Sequence, residues 1–161
     1  LVPLCGNTVD MPYLAGMKST TEIIGVEGVE QALKEFMEEQ SGYQWSPFGS
    51  DGAFLRWQGT ANSGGRGLIT FLLGDFFNIA QSDSSSSLRN FDSVWDRGGL
   101  VAVDPTLRAA YIDTIGRALR PGGVMLLCAM DRRTGTPEAR SSGPPFSLSA
   151  ADAKWLATII A

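Results

Sequence analysis

LVPLCGNTVD, residues 1–10, is the stretch on which the reading of this chain turns. Leu1, Val2, Leu4 and Cys5 make a short apolar run suited to a buried parallel strand, and Gly6 lets the backbone turn sharply with no Cβ in the way. A helix is expected next. Thr8 or Asp10 can cap its first turn, Pro12 is tolerated there, and Tyr13, Leu14 and Met17 supply an apolar side. Strand, glycine turn and helix N-terminus together make a ligand site at the carboxyl edge of an α/β sheet.

Working outward, Ile23, Ile24 and Val26 give a second strand that ends on Glu27, 21 residues after Gly6. In dinucleotide-binding and related folds, an acid at about this spacing closes the second strand and accepts hydrogen bonds from ribose hydroxyls. The three-glycine GxGxxG is absent, because Asn7 and Thr8 follow Gly6. A pyrophosphate therefore has no glycine-lined cradle, and a nucleoside without phosphate fits better than NAD. The plain alternative, an ordinary strand-to-helix turn and a solvated strand end, stays open on these residues alone.

With 161 residues, 43% of them hydrophobic, the chain is one domain's worth of material, and its domain is read as 1–161. No apolar run approaches the roughly 18 residues that span a bilayer. A net charge of -4, with no basic cluster longer than Arg132-Arg133, argues against a nucleic-acid surface and for a small-molecule partner. Cys5 and Cys128 each close an apolar run; their spacing suits a reducing compartment, here the cytoplasm, and packing roles. The sequence contains no histidine. Ser-His-Asp and Cys-His catalysis are thereby excluded, a zinc site would lack imidazole ligands, and no metal is expected.

The segment GVEQALKEFMEEQ spaces Val29, Leu33, Phe36 and Met37 on one helical face with acids opposite. A β-hairpin insertion is expected at about 43–67, where Tyr43, Trp45, Phe54 and Trp57 either line a substrate rim or cover the sheet edge. LITFLLGD is a third strand. Beyond it Asp75 can accept from an adenine amine while Phe76 packs on the ring, unless these are a strand end and a core phenylalanine. QSDSSSSLRN, residues 81–90, reads as a polar loop.

FDSVWDRGG ends a fourth strand on Arg97, whose planar fork suits a carboxylate or an electron-rich heterocycle, with Asp96 available to neutralise it. A helix follows, capped by Asp104, burying Leu107, Tyr111, Ile115 and Leu119, and stopped by Pro121-Gly122-Gly123 before a fifth strand, VMLLCAM. Such alternation calls for a parallel, doubly wound sheet with right-handed crossovers.

Taken in order, PLCGNTVDM, GVE, GDFF, WDRGGLVAVDP, LRPGG and GPPF resemble the thiopurine S-methyltransferase family of class I methyltransferases, over nearly the whole chain. The resemblance implies a three-layer, Rossmann-like, doubly wound and mostly parallel α/β fold and S-adenosylmethionine as cofactor. It implies that Leu4 and Gly6 flank the methionine part, that Glu27 holds the ribose with Gly28 beside it, and that Asp75 and Phe76 address the adenine. Arg97 then sits at the junction of cofactor and substrate as the catalytic candidate, and Pro144, Pro145 and Phe146 form a substrate wall. The expected reaction is methyl transfer to an aromatic or heterocyclic thiol. Alternatives are a halide, selenium or arsenic methyltransferase of the same fold, or a cofactor-binding protein without turnover. Family members carry an N-terminal segment over the cofactor and a seven-stranded sheet. The chain is accordingly expected to be truncated at both ends, with VMLLCAM left as an apolar, association-prone edge, whereas the complete enzyme is expected to be a monomer.

Overall fold

Ile23 to Glu27 are buried one after another, as befits a strand covered on both faces rather than one with a wet side. They form β1 (Glu22–Glu27) in a computed structural model that describes residues 1–64, 67–81, 88–132, 136–138 and 142–159. Most of the polar loop expected at 81–90, residues 82–87, lies outside the described residues. The chain divides into two compact units, Leu1–Asn78 and Ile79–Ala161.

The first unit holds α1 (Asp10–Ala15), β1, α2 (Glu30–Glu39), β2 (Tyr43–Asp51), β3 (Phe54–Ala61) and β4 (Leu68–Leu73), with strand order β1-β4-β3-β2. β1 and β4 run parallel, Glu22 opposite Leu68 and Glu27 opposite Leu73, so both strands release the chain at the same edge. β2 and β3 form an antiparallel hairpin that pairs through β3 with β4. Leu33 and Phe36 of α2 are buried, with the Phe36 ring edge-on to Phe71 at 4.8 Å and to Trp45 at 5.7 Å. Tyr43 stacks on Trp45. Tyr43 and Trp45 therefore pack with α2 over the face of the sheet and not along its edge, and Phe54 is buried.

Two local expectations are corrected. Residues 1–5 form no full strand: Val2 makes a parallel bridge to Gly25, and Cys5 N–H donates to Val26 O at 3.0 Å. Pro3 has no N–H to give, and Leu4 turns to φ 45°, so the ladder cannot continue. In α1 the buried residues are Met11 and Ala15, whereas Tyr13 is 73% exposed; six residues give too short a helix to define the broad apolar face expected of it.

The second unit pairs β5 (Phe91–Arg97) parallel with β6 (Leu119–Cys128). The ladder jumps from Phe91 opposite Leu119 to Ser93 opposite Val124, so Arg120–Gly123 bulge out where a helix stop was expected. Between the strands lie α3 (Gly99–Ala102), a 3-10 turn at Pro105–Leu107 capped by Asp104, and α4 (Arg108–Ala118), which buries Tyr111 and Ile115. Leu107 and Leu119 fall outside α4, and Leu107 is exposed. α5 (Ala150–Ala157) follows, its first turn capped by Ser149, whose Oγ accepts from Asp152 N–H. Val124 and Leu126 of β6 are 65% and 59% exposed, and Cys128 is exposed rather than packed.

Candidate functional site

Glu27 is 8% exposed, and a buried carboxylate must find donors. It finds two. Oε2 accepts the Gly6 N–H at 2.7 Å and Oε1 accepts the Val29 N–H at 2.8 Å, so one side chain ties the turn after Cys5 to the entrance of α2. Gly6 holds that turn at φ 52°, a conformation in which any Cβ is strained although the space around it is open. The exit of β4 is drawn to the same place, because Gly74 N–H donates to Glu27 O at 2.9 Å. Leu4, Gly6, Glu27, Gly28 and Asp75 thus gather at the carboxyl ends of neighbouring strands.

The chemistry of this donor set fits a nucleoside. A carboxylate offers about four lone-pair positions. Two are taken by backbone N–H groups, which leaves room for a pair of ribose hydroxyls. Asp75 is exposed; its Oδ1 accepts from Phe77 N–H at 3.0 Å, which fixes the carboxylate at the strand exit. Phe76 is placed otherwise than its expected role requires. It is 2% exposed and packs edge-on against Phe77, so it has no open face for an adenine ring. The Cys5 thiol is pushed far up by burial and then by the Glu27 charge, which rules out a thiolate at this turn.

In the second unit, alternation along β5 turns Asp96 inward and leaves Arg97 exposed. Asp96 is 1% exposed and accepts from Gly99 N–H at 2.7 Å, Leu100 N–H at 3.1 Å and the Tyr111 hydroxyl at 2.9 Å. It therefore caps α3 and does not neutralise Arg97, as had been considered. Sequence reasoning missed this network because Tyr111 looked like any core residue of an amphipathic helix. The available signal was register, since Asp96 shares a strand face with buried Val94.

Burial raises the pKa of Asp96 and outweighs the hydrogen bonds from Tyr111, Leu100 and Gly99, which lower it. Burial and then the Asp96 carboxylate push Tyr111 well up. The folded state thus keeps the Asp96 proton to higher pH than the unfolded chain does. Its contribution to stability is present at low pH and lost as pH rises through the folded value. Tyr111→Phe removes a donor that holds this value down. At neutral pH it should destabilise by about 1–3 kcal/mol, and the gap should narrow as the solution is acidified. Thermal melts of both proteins across pH check this, and a gap independent of pH would deny the coupling.

Pro144, Pro145 and Phe146 lie on the segment before α5, the two prolines exposed and Phe146 half-buried. Phe146 N–H donates to Val101 O at 2.6 Å, so this segment is bonded directly to α3, at a residue four positions beyond Arg97. A separate cavity of about 470 Å³ opens at the amino end of β1, lined by Lys18, Thr20, Thr21, Thr60 and Leu68 among others. It lies at the opposite end of that strand from Glu27, and its lysine and two of its threonines are exposed, so it is separate from the cluster around Glu27. Among the described residues no group of acids and cysteines could hold a metal, and no helix is long and apolar enough to cross a membrane.

A family model for thiopurine S-methyltransferase matches residues 1–160. The thiopurine S-methyltransferase of Pseudomonas fluorescens (strain SBW25) is 34% identical over 149 residues, which is 92% of this chain and 59% of that protein. That of Nitrosospira multiformis is 35% identical over 156 residues, 96% of this chain and 62% of that one. The chain thus spans about three fifths of the curated relatives it matches. Two solved structures are similar in fold. One, described as "Conversion of a Disulfide Bond into a Thioacetal Group during Echinomycin Biosynthesis", has a TM-score of 0.62 at 20% identity and covers 97% of this chain and 58% of its own. The other, described as "DhpI-SAM-HEP complex", has a TM-score of 0.54 at 16% identity and covers 89% and 52%. The shared fold is that of class I methyltransferases.

Proposed function

The chain belongs to the thiopurine S-methyltransferase family, and from that premise we propose that the whole protein transfers a methyl group from S-adenosylmethionine to an aromatic or heterocyclic thiol. The observation that carries this reading is Glu27, a buried carboxylate at the carboxyl end of β1, anchored through both oxygens yet with acceptor capacity left for a ribose.

S-adenosylmethionine, when bound, supplies a methyl group on a sulfonium whose leaving group is a neutral thioether, so no general acid is called for. The chain's own residues bind and orient. Leu4 and Gly6 flank the methionine part, Gly28 gives the ribose room beside Glu27, and Asp75 accepts from the adenine amine. Arg97 holds the anionic sulfur or the cofactor's carboxylate through its planar donors, and Pro144, Pro145 and Phe146 bound the substrate. A thiol of low pKa is already partly thiolate near neutral pH, which agrees with a chain containing no histidine. The free cysteines support a reducing compartment, the cytoplasm, and the whole enzyme is taken to act as a monomer.

The test is a methyl-transfer assay of the full-length protein on thiophenol and a thiopurine, beside calorimetric titration with S-adenosylmethionine. Methylated thiol supports the reading. Cofactor binding with no methylated thiol would overturn it in favour of a binding protein, and turnover confined to halide, selenium or arsenic species would redirect it within the fold.

A further inference from the structure

Arg108 stands where a cation is out of place. It is the first residue of α4, at the positive end of the helix dipole. It is also 8% exposed, and burial disfavours its charge more than the nearby Asp152 and Asp104 carboxylates favour it. What it makes is a bridge. One guanidinium nitrogen donates to Phe146 O at 3.3 Å and to Ser147 O at 3.1 Å, while its Nε is buried with no partner among the described residues. A buried guanidinium that spends its donors on two consecutive carbonyls is costly to keep unless the carbonyls must stay where they are.

The segment it grips is fastened at three further points. Phe146 N–H donates to Val101 O at 2.6 Å, Leu148 N–H to Met130 O at 2.8 Å, and Ser147 Oγ accepts from Arg132 N–H at 2.9 Å. The ring of Phe146 lies over Gly143, where an added Cβ would strike it, so the two exposed prolines are held between a fixed glycine and a fixed phenylalanine. Val101 belongs to α3, whose first turn Asp96 caps. The segment before α5 is thereby indexed to the turn that follows Arg97, and Arg108 grips it at the Phe146 and Ser147 carbonyls.

We infer that Arg108 is a positioning residue that sets the substrate wall, fixing Phe146 relative to Arg97 and so selecting for a flat aromatic thiol. The inference rests on the reading above that Pro144–Phe146 bound the substrate. A lysine keeps the charge and a donor but ends short of the position from which one guanidinium nitrogen meets both carbonyls, and a methionine cannot donate at all.

Arg108→Lys and Arg108→Met in the full-length protein test it. For thiophenol, KM should rise about tenfold in Arg108→Met, the scale of one lost hydrogen bond. It should rise less in Arg108→Lys and in both cases by more than kcat falls, while the calorimetric affinity for S-adenosylmethionine is unchanged. The preference for thiophenol over a small alkyl thiol should shrink in parallel. A lowered melting temperature with KM and preference unmoved would show a structural role only and overturn the inference. The amide resonances of Phe146 and Leu148, recorded without substrate, keep the test independent of turnover. If the wild type methylates no thiol, the functional reading fails. If those resonances do not move in Arg108→Met, the positioning role fails whatever the activity.

Discussion

Glu27→Ala is expected to weaken binding of S-adenosylmethionine about thirtyfold, the equivalent of about 2 kcal/mol for a carboxylate that serves two hydroxyls. The structure adds a second cost. The Gly6 and Val29 N–H groups lose their acceptor together, and part-buried donors left unpaired loosen both the turn and the entrance to α2. Glu27→Gln separates the two effects. Its amide oxygen can still serve one backbone donor, but its NH2 group faces the other as donor to donor and offers the ribose a poorer acceptor. Calorimetry on variants that still melt cooperatively reads the affinity directly. Unchanged affinity in Glu27→Ala would remove this residue from the cofactor's site.

The second large effect is expected at Arg97. Hydrogen bonds to charged groups contribute about 1.5–3 kcal/mol, so removing them should lower kcat/KM by roughly 10- to 100-fold in Arg97→Ala. Arg97→Lys should be impaired as well, because an ammonium cannot reproduce two coplanar donors. Stability should change less than turnover in either, since the side chain is exposed. Turnover and melting temperature measured together decide the matter. Wild-type turnover in Arg97→Lys, or a melting loss large enough to account for the missing activity, would reduce Arg97 to a surface charge.

Where the chain is apolar over a whole strand, its sequence is legible. β1 and β4 are nearly continuous aliphatic and aromatic runs closed by an acid, and Glu27 lands at the predicted strand end because the spacing from Gly6 counts one turn, one helix and one strand. Residues 1–5 mislead for a local reason: their composition suits a strand, but Pro3 and the φ of Leu4 break the ladder after one bridge. The face of α1 misleads for another, since Tyr13 lies exposed on a helix that turns Met11 and Ala15 inward, and Met17, expected on the same face, falls exposed beyond the helix end. The strand ends on which the candidate site is built were legible where a charge closes a strand, as at Glu27 and Arg97. It was not legible where partners come from distant segments. Nothing near Asp96 announces Tyr111, and nothing near Phe146 announces Arg108, because such pairs are made by packing and not by spacing.

α1 carries a last consequence. Six residues fall far below the roughly 12–15 at which a helix holds itself in water, and although Thr8 Oγ1 accepts the Asp10 N–H at 3.2 Å, as expected of a cap, the N-cap position itself is Val9, which has no side-chain acceptor. It stays in place by fit. Met11 Sδ occupies the space that a Cβ on Gly25 would need, 2.7 Å away, and Ala15 lies against Gly67 in the same manner. Lifting α1 therefore uncovers two side chains and leaves the β1–β4 ladder paired, which makes it a unit of local opening, cheap beside global unfolding. Gly6, only four residues upstream of α1, is tied to Glu27 by its N–H at 2.7 Å, so an opening that reached it would have to break that bond. A ligand that needs both the Gly6 turn and Glu27 would then select the seated form, its apparent affinity reduced by the fraction of time the turn spends open.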